Sequence, residues 1–131
     1  MVRRFSGLVR WVPALLWMGF IYYWSSRSST PSTSVVVSKL AHVTEYAALS
    51  WLVAFGLGLT GRWALVAWLW ATAYGAGDEA HQMFTPLRHP QVQDVMLDSA
   101  AAALALQGLR YLVARRRLKG EAIRLPGPEP G

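Results

Sequence analysis

The chain has 131 residues, enough for one domain, and is 53% hydrophobic but only 15% charged, well below the roughly 25% of a typical soluble domain. Its formal charge is +6, yet the basic residues gather at chain ends and beside apolar runs rather than among aromatics on a polar face, which points to an anionic membrane surface and away from nucleic acid. The absence of Cys excludes a disulfide framework, a thiolate metal site and thiol redox chemistry.

Four apolar segments follow in chain order: LVRWVPALLWMGFIYYW at 8–24, LAHVTEYAALSWLVAFGLGL at 40–59, WALVAWLWATAYGAG at 63–77 and VMLDSAAAALALQGLRYLVA at 95–114. A helix that spans a bilayer needs about 17–25 residues. The second and fourth reach that length; the first and third are short and need flanking residues or a thinned bilayer. Neither short segment has the polar face that a helix of a soluble bundle shows. The Trp residues sit at the edges of these runs as often as inside them, as rings at a membrane interface do. The opening MVRR and its apolar run have the outline of a signal peptide but lack an Ala-x-Ala-like site, so 8–24 reads as an uncleaved first span. The expectation is an all-α, polytopic membrane protein with four transmembrane helices in a compact bundle. Residues 1–114 form the domain, and 115–131 a basic, then Pro/Gly-rich, cytoplasmic tail.

Four spans put both termini on one side. Arg3, Arg4, Arg10, Arg62, Arg110, Arg115, Arg116, Arg117, Lys119 and Arg124 fall on that side, and only Arg27, Lys39 and Arg88 on the other. The positive-inside rule then places both termini in the cytoplasm of a cell-membrane protein. With this orientation, Glu45, Asp78, Glu79, Asp94 and Asp98 meet at the outer level together with Lys39, His42, His81 and Arg88. Lys39, His42 and Tyr46 share a helix face, and Asp78/Gln82 and Asp94/Asp98 are i, i+4 pairs. If the third helix runs past Gly77, Asp78, His81 and Gln82 form one stripe. Carboxylates at bilayer depth are costly and usually face a partner or a water-filled cavity. Taken singly, Lys39 reads as a lysine snorkelling to the interface, His42 as a helix-pairing hydrogen bond and Tyr46 as an interface anchor. Their gathering from separate segments favours a site.

These residues resemble the VanZ-like family of membrane proteins. Its pattern is Lys-x-x-His-x-x-x-Tyr, then Asp-Glu-x-x-Gln-x-Phe-x-Pro-x-Arg, then Asp-x-x-x-Asn or Asp. Here those positions hold Lys39, His42 and Tyr46; Asp78, Glu79, Gln82, Phe84, Pro86 and Arg88; and Asp94 and Asp98. The YWSSRSS that closes the first segment is also similar, and the resemblance extends over residues 20–105. Two positions depart from it: Leu87 lies in a turn that is usually Pro-Gly-Arg, and Ala101 stands where Gly is common. The family takes its name from a protein giving low-level resistance to the glycopeptide teicoplanin, so the resemblance implies a contribution to glycopeptide resistance. It fixes fold and site better than reaction.

Four chemistries fit the cluster. In the first, Lys39, His42 and Arg88 hold an anionic group of an amphiphile, such as a lipid-linked cell-wall precursor or a lipoglycopeptide, while Glu45, Tyr46, Asp78, Glu79, Gln82, Asp94 and Asp98 orient the cations and accept hydroxyls or amines. In the second, His42 with Glu45 or Asp98 is a general base and Glu79 a general acid, with Lys39 and Arg88 as clamps on developing charge, in a hydrolase or transferase of lipid head groups. In the third, His42, Asp78, His81 and Asp98 supply donors for a divalent ion, without any fixed ligand spacing. In the fourth, the polar groups lock the bundle. No cofactor is assigned by the sequence. No nucleophile-elbow, Ser-x-x-Lys, P-loop or zincin motif occurs. Four spans without a long soluble domain point away from an independent channel or pump, although a homo-oligomer could form a path.

Overall fold

The structure, a computed structural model, describes residues 7–27, 34–86 and 91–124, with side chains described through residue 120. After a helical turn at 7–9, helix α1 runs over Val12–Ser25, with Pro13 in the first turn, where its missing N–H costs nothing. Helix α2 covers Val35–Gly56. It starts ahead of the apolar segment because a cap sets its origin: the extended Ser34 accepts the Val37 N–H on its Oγ at 3.2 Å. The turn that follows holds three residues with positive φ, Gly58 at 71°, Leu59 at 55° and Gly61 at 61°. Only the two glycines adopt that region without a steric cost.

Helix α3 spans Trp63–Gln82, so it does continue past Gly77 and carries DEAHQ in its last turns. Helix α4 spans Val92–Arg124. At 33 residues it is about 50 Å long and continues beyond Ala114 through Arg, Leu and Lys residues that favour helix. The bundle alternates in direction. Pairs 39/94, 42/98 and 51/105 advance together, so α2 and α4 are parallel. Contacts 68/99 and 79/91 run oppositely, so α3 is antiparallel to α4. Helix α4 packs on α2 and α3, α2 also packs on α3, and α1 leans mainly on α2. The starts of α2 and α4 therefore meet the end of α3 at one end of the bundle.

The interior is made of small residues. Of eleven buried apolar side chains among the described residues six are Ala: Ala14, Ala54, Ala67, Ala71, Ala101 and Ala102. Ile21, Tyr46, Leu49, Val53 and Leu106 fill the rest. Small residues let helix backbones approach closely where helices pack in an apolar medium. Most large apolar residues lie outside, with 27 of them exposed among the described residues, including Leu16, Phe20, Trp24, Phe55, Trp70 and Leu104. Aromatic donors tie the helices together across this small core. The indole N–H of Trp17 donates to the Glu45 carbonyl at 2.9 Å, that of Trp51 to Ala105 at 2.7 Å and that of Trp68 to Ser99 at 3.2 Å, while the Tyr74 hydroxyl donates to Met18 at 2.7 Å.

The chain thus forms the expected all-α, four-helix bundle, and no strand occurs among the described residues. The four expected spans are a different matter: among the described residues no helix is long and apolar enough to cross a membrane. Helix α1 has only 14 residues, about 21 Å, short of a hydrocarbon core of about 30 Å. Helices α2 and α3 carry Lys39 and Glu45, and Asp78 and Glu79, inside their own length. Helix α4 mixes Asp98 and Arg110 into its apolar stretch and ends strongly basic.

Candidate functional site

At the end where α2 and α4 begin, polar side chains face inward in successive layers. The outermost is Lys39, whose Nζ donates to Asp94 Oδ1 at 2.7 Å; the two side chains are 41% and 18% exposed, so the pair sits at a mouth. One turn deeper, His42 Nδ1 meets Asp98 Oδ2 at 3.3 Å, and here both residues are buried, Asp98 to 1% exposure. Below His42 its helix brings Tyr46, with ring centroids 6.2 Å apart. The helical spacing of Lys39, His42 and Tyr46 on α2 and of Asp94 and Asp98 on α4 produces these layers directly.

Helix α3 supplies the third wall. Gln82 Nε2 bridges Asp78 Oδ2 and Ser25 Oγ, each at 3.1 Å, and all three residues are buried. Glu79 accepts the Gln91 backbone N–H on Oε2 at 3.0 Å, which joins the end of α3 to the start of α4. Gly75 makes room for the layer beneath: a Cβ there would lie 3.2 Å from Tyr46 Cε1 and 3.6 Å from Asp98 Oδ2. Gly75→Leu is therefore expected to destabilise the protein by about 1–3 kcal/mol through overpacking. Gly75→Ala has a smaller effect, and thermal unfolding of both variants checks the order.

Three buried polar atoms in this group have no hydrogen-bond partner among the described residues: Tyr46 Oη, Glu79 Oε1 and Asp98 Oδ1. They come one each from α2, α3 and α4. The Tyr46 hydroxyl lies beside Asp78, close enough for a loose polar contact but short of good hydrogen-bond geometry. Leaving such groups unpaired costs about 1–3 kcal/mol each, more where they are charged. Each such group calls for a partner, whether a water, an ion or a bound polar group.

The structure therefore brings together nine of the ten sequence candidates at one end, with Glu45 at the edge. Glu45 lines a shallow apolar groove between α1 and α2 with Trp17, Phe20, Leu40 and Thr44. The tenth, Arg88, lies outside the described residues, as does His89. His81 departs from the proposed stripe with Asp78 and Gln82. Its Nε2 is 3.1 Å from Ser26 Oγ and its ring is 4.9 Å from that of Tyr22, so it turns toward α1. The metal reading on His42, Asp78, His81 and Asp98 thus loses a ligand to geometry. Among the described residues no group of three or more His, Asp or Glu side chains is placed to hold a metal ion.

Ser25, Gly75 and the Gln91 amide complete the site but were not singled out from the sequence. Ser25 had a signal, since the YWSSRSS stretch contains it; Gly75 and Gln91 had none. The assembled group is rich in acceptors. Asp78, Glu79, Asp94 and Asp98 face Lys39 and His42, and the unfilled positions are oxygens.

A family model described as VanZ/LLP1 matches residues 4–113, which include every residue of this site. No curated protein and no solved structure gives a significant match.

Proposed function

Because the chain belongs to the VanZ/LLP1 family, we propose that it is an integral membrane protein whose polar cluster opens at the outer face and binds the head group of an amphiphile bearing an anionic group. A lipid-linked cell-wall precursor or a lipoglycopeptide has that chemistry, and a contribution to glycopeptide resistance would follow from holding either. The observation that carries the binding reading is the set of three unpartnered buried atoms, Tyr46 Oη, Glu79 Oε1 and Asp98 Oδ1, which a bound polar group would satisfy.

Membrane residence rests on the inverted distribution of side chains, Ala within and large apolar residues without. Large apolar side chains exposed in such number point to a surface that meets lipid or protein. Helices too short or too polar to span singly would be held in the bilayer by the bundle, whose ionisable groups face one another. A reporter fused after Arg117 is expected to be active only in the cytoplasm, and one inserted near Ser32 only outside. Reversed activities would put the cluster on the wrong face.

Lys39 provides the anion contact at the mouth, because one of its three N–H donors is taken by Asp94 and its side chain is partly exposed. The test is mass spectrometry of co-purified amphiphiles. Lys39→Ala is expected to lower their retention by about tenfold, the loss of one charge-assisted hydrogen bond, with insertion and folding preserved. Equal retention would remove Lys39 from the site.

A catalytic reading is favoured by one contact, the buried His42–Asp98 pair, which has the form of a base and its orienting carboxylate. On that reading the protein is a hydrolase or transferase of lipid head groups with Glu79 as acid. Glu79→Gln would then leave binding almost intact and abolish turnover. In a pure binder it would alter affinity only modestly.

A further inference from the structure

We infer that the buried part of the bound head group is a protonated primary amine. This deepens the binding reading above and rests on it. The unfilled positions are all oxygens: one carboxylate oxygen of Glu79, one of Asp98 and the Tyr46 hydroxyl. Glu79 and Asp98 are 6% and 1% exposed, so neither oxygen can be satisfied by bulk water. The carboxylates are already half engaged by donors of the chain itself, Glu79 by the Gln91 N–H and Asp98 by His42. What remains is one free acceptor oxygen on each carboxylate and a Tyr46 hydroxyl that can accept or donate.

A second anion in this place would face four carboxyl groups, those of Asp78, Glu79, Asp94 and Asp98, opposed among the described residues by Lys39 and His42 alone. Like charges this close are repulsive. A primary ammonium reverses the sign and brings three N–H donors for the unfilled oxygens. A quaternary ammonium brings the charge and no donor. A hydroxyl brings one donor and no charge. The arrangement fits a zwitterionic head group: the anion stays with the partly exposed Lys39 at the mouth, and the amine lies among the buried oxygens of Glu79 and Asp98.

Phosphatidylethanolamine and phosphatidylcholine share the phosphate and the positive charge and differ in the N–H donors, which makes them the discriminating probes. The full chain is purified in detergent and titrated with each lipid, and binding is read by native mass spectrometry. Phosphatidylethanolamine is expected to bind about tenfold or more tightly than phosphatidylcholine, the factor that a charge-assisted hydrogen bond supplies. Glu79→Gln and Asp98→Asn should each bring the two lipids closer to parity while Lys39→Ala weakens both alike. Should either carboxylate variant fail to fold, the wild-type comparison decides by itself. Competition by free phosphoethanolamine but not by phosphocholine supports the amine from a water-borne source; a preference among lipids without such competition supports it from a lipid. Equal binding of the two lipids overturns the inference and leaves the binding reading standing. Failure of both to bind, with Lys39→Ala indistinguishable from wild type, overturns the binding reading itself.

Discussion

His42→Ala is expected to destabilise the protein by about 1–3 kcal/mol, the cost of leaving a buried carboxyl group without its hydrogen-bond partner, and by more where that group is charged. The cause is what is left behind. Asp98 is 1% exposed and has a single described partner, His42 Nδ1 at 3.3 Å; its other oxygen already has none. Truncation strands the whole carboxyl group on a helix-packing face, with the acidic Asp78 and Glu79 on the adjoining wall. The double variant His42→Ala/Asp98→Ala should recover part of the loss, because no stranded group remains. Thermal unfolding followed by Trp fluorescence in detergent measures all three proteins. A His42→Ala variant as stable as wild type would mean that the 3.3 Å contact has no energetic weight.

Tyr46 gives two opposite results from one position. Tyr46→Ala removes one of the largest fully buried side chains and should cost about 3–5 kcal/mol, as aromatic truncations that leave a cavity do. Tyr46→Phe keeps the ring that fills the space beside Gly75 and deletes only a hydroxyl that makes no hydrogen bond of good geometry. Removing an unsatisfied buried polar group relieves a penalty, so the Phe variant should be as stable as wild type or more so. It should also retain less bound amphiphile. Stability gained as function is lost is the mark of a group kept for a ligand. A Tyr46→Phe variant that loses more than about 1 kcal/mol would instead show that the hydroxyl is bonded within the fold.

The number of helices and their meeting end were legible from hydropathy and charge alone. Lys39, His42, Tyr46, Asp94 and Asp98 were legible as a group because two helices that start at one level present their early turns to each other. Helix ends were less so. Hydropathy could not see that Ser34 caps α2, that DEAHQ belongs to α3, or that the basic run after Ala114 stays helical, since propensity and caps rather than apolarity decide those boundaries. The direction of His81 was invisible for another reason. A residue three from Asp78 and one from Gln82 has its face set by helix geometry, and which neighbour occupies that side depends on where α1 packs. The bonds from Trp17, Trp51 and Trp68 to backbone carbonyls were hidden likewise, because a carbonyl carries no sequence signature.

The two charged pairs also govern how α2 and α4 can slide. The α4 side of this interface is small at Ala101 and Ala102, so apolar packing alone distinguishes one register from the next less sharply than the polar pairs do. A slip of α4 by one turn in one direction would bring Asp98 opposite Lys39 and leave His42 facing Ala102; the reverse slip would bring Asp94 opposite His42 and leave Asp98 facing Tyr46. Either way one pair is lost, so the pairs act as detents that select a single alignment. The two helices are also separated in the chain by all of α3. Lys39 and His42 must therefore wait through the synthesis of α3 before Asp94 and Asp98 arrive, and a chain stopped short of α4 would present unmatched polar groups to the machinery that inserts or degrades incomplete proteins.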